Sequence, residues 1–423
     1  MTELPDGWRP ASIGEVASVD SGPAFQSKLF GGPNEGTRLL RGDNIEPGAL
    51  RWQRTRTWPD ERLPGFESLL VEVGDIILAM DRPVITSGLK LGRVTPNDLP
   101  ALLVQRVARI RATGVENGYL YHLLESRQFV HHLRGNQVGT QVPHITLKTI
   151  RDFPVPLPPI NEQRRIVEIL EDHLSRLDAA IALSMSAVRR LDALQVSGLW
   201  HATHGLPASE AFTLSGVAEV RLGRQRSPKN HTGDRMRPYL RAANVGWDEL
   251  CLDDVKKMQF TELESATYEL HDGDILLTEA SGSASEVGKS AIYRSEVTGV
   301  CFQNTLLRVR CHEGVNPKFV QLYLLAEARL GKFVAESRGV GIIHLGRARL
   351  ASWPVLLPTA DLQIAAVKIA SELGEATART RETAQKATIR AHGLRRALLA
   401  AAFSGRLTGL AADQEIVKEM AGV

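Results

Sequence analysis

The amino-acid sequence changes character at Phe153-Pro154-Val155-Pro156-Leu157-Pro158-Pro159-Ile160-Asn161-Glu162-Gln163. A proline cannot donate a backbone hydrogen bond and disfavours helix at the residue before it, so this stretch predicts a stiff, extended exit from a folded domain. Residues 161 to about 201 then contain no proline, and large apolar residues recur mostly three or four positions apart. That spacing predicts one amphipathic helix of about 40 residues, which is about 60 Å long at a rise of about 1.5 Å per residue.

The same transition occurs again 200 residues further on, at Trp353-Pro354-Val355-Leu356-Leu357-Pro358. Five more segments recur in the same order at offsets of 199 or 200. This self-similarity predicts a tandem duplication of one domain together with its helix. The five further pairs are 40–44 with 240–244, 73–78 with 272–277, 109–111 with 308–310, 119–120 with 319–320, and 144–145 with 344–345.

Each repeat has the pattern of a mixed α and β domain. Short apolar runs bounded by Gly-Asp and other turn residues predict strands. One short helix is expected in each repeat, at 117–132 and 317–334. The predicted strands include 76–78, 102–104, 275–277 and 306–307.

Between the matching segments the two repeats differ. Residues 21–37 share little with 221–236, and 81–103 share little with 280–301. A frame that is kept while its loops diverge is typical of proteins whose function lies on loops held by a rigid scaffold. We therefore expect two similar scaffolds that read two different targets.

A second long helix is predicted from 361 to about 403, with a more alanine-rich sequence. Neither long helix can bury its apolar stripe alone, so the simplest arrangement pairs the two as an antiparallel coiled coil. One domain would then lie at each end, as a dumbbell with pseudo-two-fold symmetry; the alternative is two ordinary core helices. The expected divisions are a first domain at 1–158, its helix at 159–204, a second domain at 205–358, its helix at 359–410 and a tail at 411–423.

The composition is that of a globular protein, with 43% hydrophobic and 23% charged residues. No stretch approaches the roughly 20 consecutive apolar residues that span a bilayer, and the first residues lack the features of a signal peptide, so a cytoplasmic protein that does not bind membranes is expected. The net charge of +3 is too small to indicate nucleic-acid binding by itself. Three cysteines at spacings that match no zinc pattern are expected to be buried, reduced thiols.

The segment Pro156-Leu157-Pro158-Pro159-Ile160-Asn161-Glu162-Gln163-Arg164-Arg165-Ile166-Val167 resembles part of the specificity subunits of type I restriction-modification systems. In that family a proline-rich exit precedes a central conserved helix that opens with Glu-Gln. Gly139-Thr140-Gln141-Val142-Pro143-His144-Ile145 is similar to the family's Gly-Thr loop, and Ala402-Phe403-Ser404-Gly405-Arg406-Leu407 is similar to the end of its distal helix. The resemblance covers nearly the whole chain.

The second half departs from the family pattern at two places. Its helix opens with Thr359-Ala360-Asp361-Leu362-Gln363, in which the glutamine is kept and the glutamate is replaced. The second Gly-Thr loop reads Val340-Gly341-Ile342-Ile343-His344. We therefore expect the architecture to carry over to the second half more fully than individual residue roles.

The resemblance implies two target recognition domains, each of which reads one half of a split sequence in double-stranded DNA. It implies that the helices act as a ruler and as a docking platform for two methyltransferase subunits, and it leaves open whether restriction subunits also join. S-adenosylmethionine, ATP and magnesium would be held by the partner subunits, with no cofactor in this chain. Two domains on a rigid spacer suit half-sites about one helical turn, or about 34–36 Å, apart.

Basic and amide residues gather in the divergent loops of both repeats. Arginine can read guanine, and asparagine or glutamine can read adenine, whereas lysine mostly holds phosphates. Arg41 and Asn44, which recur as Arg241 and Asn244, are more simply explained by holding loops or phosphates. The predicted DNA-binding residues are Arg38, Arg41, Asn44, Arg51, Arg54, Arg56, Arg82 and Lys90 in the first domain, and Arg221, Arg224, Gln225, Arg226, Lys229, Arg235, Arg237, Arg241, Asn244 and Lys289 in the second.

No set of catalytic or metal-binding residues emerges from the sequence. Asp81-Arg82-Pro83-Val84 lacks the second proline and the aromatic residue of the amino-methyltransferase motif. Asp254-Val255-Lys256 lacks the Pro-Asp partner found in metal-dependent nucleases, and neither a phosphate-binding lysine loop nor a nucleophile elbow occurs. The sequence thus favours a non-catalytic DNA-recognition subunit; the alternatives are a self-contained DNA methyltransferase or nuclease and a repeat scaffold that binds only proteins.

Overall fold

The computed structural model describes residues 4–53, 55–138, 143–207, 210–281, 283, 286–335 and 343–408. Its contacts divide the chain into two compact units. Unit 1 consists of Met1–Leu183 with Ala387–Val423, and unit 2 is Ser184–Lys386. Each unit therefore contains one domain and a segment of both long helices. Within the described ranges, no helix is both long enough and apolar enough to cross a membrane.

The domain of unit 1 is built on an antiparallel four-stranded sheet in the order Leu91–Arg93, Ile76–Ala79, Val107–Ala112 and Ala17–Ser21. Alternate residues of its second strand enter different cores: Ile76 and Leu78 pack in one, and Ile77 in the other. Both faces of the sheet are thus covered. The remaining strands are Arg9–Ser12, Thr37–Leu40, Ile45–Glu46, Ala49–Leu50, Thr57–Trp58, Val84–Ile85, Gly88–Leu89, Ala101–Leu103 and Pro154–Leu157, and the short helices are Ile13–Val16, Asn117–Leu124, Arg127–Gly135 and Leu147–Arg151.

Unit 2 repeats this architecture. Its four-stranded antiparallel sheet has the order Ala218–Leu222, Leu306–Cys311, Ile275–Thr278 and Ser290–Ile292. Equivalent strands thus hold equivalent places, and the predicted duplication and mixed α/β class are confirmed. The remaining strands are Glu210–Thr213, Met236–Leu240, Lys256–Gln259, Ala280–Ser281, Cys301–Phe302, Ile343–His344 and Pro354–Leu357, and the short helices are Leu214–Val217, Glu262–Tyr268, Pro317–Arg329, Lys332–Ala335 and Arg347–Ala351.

An ion pair joins two of the repeated sequence segments. Asp75 lies in a tight turn in which Gly74 has a φ of 94°, and its carboxylate accepts from the guanidinium of Arg111 at 2.7 and 2.9 Å. Asp274 and Arg310 form the same pair at 2.7 Å for both contacts. The Gly-Asp and Arg-x-Arg segments recur together because each aspartate ties the start of one strand to the next strand in the sheet.

The prediction of one short helix in each repeat is wrong in one respect. In both units, two separate helices occupy the predicted stretch. In unit 1, the Ser126 side chain accepts from the Phe129 backbone N–H and caps a new helix after Leu124. In unit 2 the break falls at Gly331, whose φ of 71° is left-handed and cannot continue a helix. The helix pattern in the sequence ran through both breaks because apolar residues continue beyond them.

The long helices extend over Ile160–His204 and Ala360–Ala402, which confirms the predictions of 161–201 and 361–403 to within a few residues. Inside unit 1, Arg395 donates to Asp178 at 2.6 Å, and further toward the chain end Thr408 donates to Glu162. Inside unit 2, Arg381 pairs with Asp192 at 2.5 Å. Within unit 1, the contacts of Asp178 with Arg395 and of Glu162 with Thr408 show that residues 162–178 and 395–408 run antiparallel. The tail predicted at 411–423 lies outside the described residues.

Candidate nucleic-acid interface

A cavity of about 710 Å³ on unit 1 brings together three of the predicted DNA-binding residues, Arg41, Arg82 and Lys90. Arg82 and Lys90 lie in one divergent segment, and Arg41 lies at the end of the strand Thr37–Leu40. Two side chains that the sequence reasoning missed, Gln105 and Arg106, line the same cavity. The site therefore combines four cations with one amide, the residue types that hold phosphates and read bases.

The cationic side chains that line this cavity differ in their hydrogen bonds and ion pairs to neighbouring groups. The Arg41 guanidinium lies 3.3 Å from the Asp43 carboxylate. The Lys90 ammonium donates to the Gly42 carbonyl, and burial lowers its pKa against the opposing charges of Asp43 and Asp81. Arg106 is 3.8 Å from Asp81. The exposed Arg82 side chain has no hydrogen bond or ion pair to another described residue, so it is the cation best able to meet a phosphate.

Asn44 and Asn244 face their own loops and leave only 1% and 2% of their surface exposed. The Asn44 amide accepts from the Arg41 backbone N–H at 3.0 Å and donates to the Arg51 carbonyl at 2.9 Å. Asn244 accepts from Arg241 at 3.1 Å and donates to Cys251 at 2.8 Å. Both amides are engaged within their own loops in this structure, which agrees with the loop-holding role that their recurrence in both repeats favours.

Two of the predicted arginines are likewise engaged inside their units. Arg38 donates to the carbonyl oxygens of Leu99 at 2.6 Å and Pro100 at 3.2 Å, and its guanidinium lies 4.5 Å from the centre of the Trp52 ring. Arg224 donates to the Glu264 carboxylate at 2.7 Å and lies over the Phe260 ring. These contacts place both guanidinium groups in structural roles in this structure.

Most of the other predicted residues have an acidic neighbour. The ion pairs are Arg51 with Glu46, Arg221 with Glu219, Arg235 with Glu262, Arg237 with Glu269, Arg241 with Asp254, and Lys289 with Glu286. By contrast, Arg56 in unit 1 and Gln225, Arg226 and Lys229 in unit 2 are exposed and have no side-chain partner within the described ranges. The last three lie in one divergent loop after the strand Ala218–Leu222. Arg54 lies outside the described residues.

The cysteines differ from the sequence expectation in one case. Cys301 is buried and Cys311 is half-buried, and burial raises the pKa of each thiol to about 12. Cys251 is exposed, so the expectation of burial is wrong for this residue. Across the described part of the chain, no three His, Cys, Asp or Glu side chains come together as metal ligands would.

Comparison with known proteins bears on both units. Residues 5–183 match the family model of the type I restriction modification DNA specificity domain. The chain is 35% identical over 172 residues to the type I restriction enzyme EcoAI specificity subunit of Escherichia coli, a match that covers 40% of this chain and 29% of that protein. It is 23% identical over 432 residues to the EcoKI specificity subunit of Escherichia coli K12, which covers 96% of this chain and 90% of the relative.

A solved structure shows the same fold over nearly the whole chain. That structure concerns complex assembly and conformational transition of the type I R-M system. One of its chains aligns with this protein with a TM-score of 0.75 at 20% identity. The alignment covers 96% of this chain and all of that chain. The similarity therefore extends over both repeats and both long helices.

Proposed function

We propose that this chain is a non-catalytic DNA-reading subunit. The premise is that it is a relative of the specificity subunits of type I restriction-modification systems. Each domain reads one half of a gapped target in double-stranded DNA. The long helices pair along their length as an antiparallel coiled coil, in a pseudo-two-fold dumbbell, and keep the two domains at a set distance. The observation that carries this proposal is one sheet architecture present in both units with different basic loops on it.

The chemistry of the exposed loops supports DNA as the ligand. Arg82 in unit 1 and Arg226 and Lys229 in unit 2 are exposed cations without a described partner, as phosphate contacts require. They lie in segments that differ between the repeats, whereas the pairs Asp75–Arg111 and Asp274–Arg310, each of a buried aspartate with a partly exposed arginine, are the same. A constant frame with variable cationic loops suits two half-sites of different sequence.

The partners and cofactors follow from the proposed role. Two methyltransferase subunits dock on the long helices, and the assembly works in the cytoplasm; whether restriction subunits also join is left open. S-adenosylmethionine, ATP and magnesium are then held by those partners. On this proposal the chain supplies specificity, and the assembled complex supplies adenine methylation and DNA cleavage.

Mapping of methylated adenines in cells with and without the gene tests the proposal. Loss of one gapped motif on deletion, together with salt-sensitive binding of duplex DNA by the purified chain, is the expected result. Unchanged methylation would overturn it. Turnover of DNA by the chain alone would favour a self-contained enzyme, and lack of any DNA affinity would favour a scaffold that binds only proteins.

A further inference from the structure

Two short turns occupy the same place in the two domains. In unit 1, Gln105 and Arg106 form a turn between the strands Ala101–Leu103 and Val107–Ala112. In unit 2, Asn304 and Thr305 form a turn between Cys301–Phe302 and Leu306–Cys311. Each turn thus begins with an amide residue, although the turn is not among the segments whose sequences match.

The backbone of each turn is held by the same pair of hydrogen bonds. The Gln105 N–H donates to the Pro23 carbonyl at 3.0 Å, and the Arg106 carbonyl accepts from Met80 at 2.9 Å. In unit 2, the Asn304 N–H donates to Arg224 at 3.0 Å, and the Thr305 carbonyl accepts from Glu279 at 2.9 Å. Both turns are therefore fixed to two neighbouring segments of their own domain.

A glycine allows the neighbouring chain to come this close. A Cβ atom on Gly22 would lie 2.0 Å from the Leu103 carbonyl oxygen, and one on Gly223 would lie 2.2 Å from that of Gln303. No side chain fits at such distances, so both domains need glycine here. The same close approach in two diverged domains indicates that the position of the turn matters.

The amide side chains are unengaged, in contrast to their backbones. Gln105 is exposed and Asn304 is half-buried, and neither side chain has a hydrogen bond to another described residue. Gln105 lines the cavity that also holds Arg41 and Lys90. Arg241 and Lys289 stand at the corresponding sequence positions of unit 2.

An amide carries a donor and an acceptor side by side, which match N7 and the N6 amino group of adenine in the major groove. A pinned backbone limits where that amide can point, and this restraint favours discrimination between bases over loose attraction. In unit 1, the cations that line the same cavity as Gln105 would add sequence-independent affinity.

We propose that Gln105 and Asn304 are the specificity-determining residues that each contact an adenine in one half-site. The inference rests on the proposed function and adds to it the base class and the residue in each domain. The side chains differ by one methylene group, and Arg106 is replaced by Thr305, so the constant backbone presents different chemistry to the two half-sites.

Selection of bound duplexes from a randomised, gapped pool by the full-length chain tests this assignment. The wild-type protein should select a motif with at least one fixed A·T pair in each half. Gln105→Ala should lower the preference at one such pair by about 5- to 150-fold and leave the other half unchanged. Asn304→Ala should do the same in the opposite half.

Gln105→Glu separates base reading from a structural role. Its carboxylate can accept from the amino group of cytosine, so the preferred pair at that position should change from A·T to C·G. Gln128→Ala, which alters an exposed amide on the helix Arg127–Gly135, is the matched control and should keep the wild-type motif.

The outcomes distinguish this inference from the function on which it rests. If the wild-type chain selects a gapped motif and the Gln105 and Asn304 variants select the same one, the base-reading assignment is overturned and the proposed function stands. If the wild-type chain selects no motif, the proposed function and the assignment are both overturned.

Discussion

Gln163 and Gln363 make the same two hydrogen bonds at the start of the two long helices. The Gln163 Oε1 atom accepts from the Glu116 backbone N–H at 2.8 Å, and its Nε2 atom donates to the Pro158 carbonyl at 2.8 Å. Gln363 accepts from the Asn316 N–H at 2.9 Å and donates to Pro358 at 2.8 Å. Each glutamine therefore joins a proline-rich exit, a long helix and the start of a short helix within one unit.

This geometry explains a departure seen in the sequence. Glu162, which precedes the first glutamine, takes no part in these two bonds and accepts instead from Thr408. Its counterpart Leu362 leaves the same two bonds intact in unit 2. The glutamine is kept in both repeats because the domain is anchored through it, whereas the glutamate is not needed for that anchor.

Gln163→Ala should destabilise unit 1 by about 2–4 kcal/mol, since it leaves the part-buried Glu116 N–H and the buried Pro158 carbonyl without a partner. The amide of Glu116 should also exchange its hydrogen faster in the variant than in the wild-type protein. Hydrogen exchange read by mass spectrometry, together with calorimetric unfolding, checks both effects. Gln128→Ala is the exposed control, and equal exchange at Glu116 in both variants would contradict the prediction.

Asp75→Asn should cost about 2–4 kcal/mol of folding free energy, whereas Glu72→Gln should cost less than about 0.5 kcal/mol. Both carboxylates pair with Arg111, at 2.7 Å for Asp75 and 3.2 Å for Glu72, but their side chains are 2% and 71% exposed. Water screens the outer pair, and removal of the inner partner leaves the arginine poorly compensated. Urea unfolding of the two variants measures the difference; similar losses would refute the role of burial.

Unit 2 should lose stability on acidification through Glu264. Burial raises the pKa of this carboxyl, but the Thr261 backbone N–H and the Arg224 guanidinium outweigh burial and hold the pKa below its ordinary value of 4.5. A lowered pKa stabilises the folded state fully above pH 4.5, and this contribution is lost as the pH falls through the lower folded value.

Thermal unfolding of the wild-type protein and Glu264→Gln from pH 7 to pH 3 tests this expectation. The variant should be less stable by about 1 kcal/mol at neutral pH, and the gap should close below pH 4.5. Glu262→Gln, on the same helix with a largely exposed side chain, is the control. A gap that stays constant down to pH 3 would show that Glu264 does not titrate in this way.

Arg82→Ala and Arg38→Ala should separate DNA binding from stability. The Arg82 variant should unfold like the wild-type protein, and the slope of log K against log salt should fall by about 1 as one phosphate contact is lost. The Arg38 variant should lose about 1–3 kcal/mol of stability and keep the slope, because its guanidinium donates to backbone carbonyls. Titrations of a duplex at several salt concentrations decide; an unchanged slope for Arg82→Ala would remove it from the interface.

The sequence by itself determined the duplication, the mixed α and β class of each domain, and both long helices. These features depend on short-range patterns. The patterns are prolines, which lack a backbone N–H and interrupt helices, Gly-Asp turns, and apolar residues spaced so that they lie on one helix face. Such patterns survive divergence, since each can be recognised without knowing what packs against it. The breaks after Leu124 and at Gly331 escaped this reasoning, because apolar residues continue through them.

Only the tertiary structure decided which of the predicted cations are bonded within the fold and which are exposed without a partner among the described residues. Arg38 lies in the strand Thr37–Leu40 and Arg82 in a divergent segment. The Arg38 guanidinium donates to carbonyl oxygens about sixty residues further along the chain, whereas the Arg82 side chain has no hydrogen bond or ion pair to another described residue. The same holds for Gln105, whose backbone N–H donates to the Pro23 carbonyl and whose side chain has no hydrogen bond to another described residue. A long polar side chain takes its role from the groups that folding brings within about 3 Å of it, and those groups lie far away in sequence.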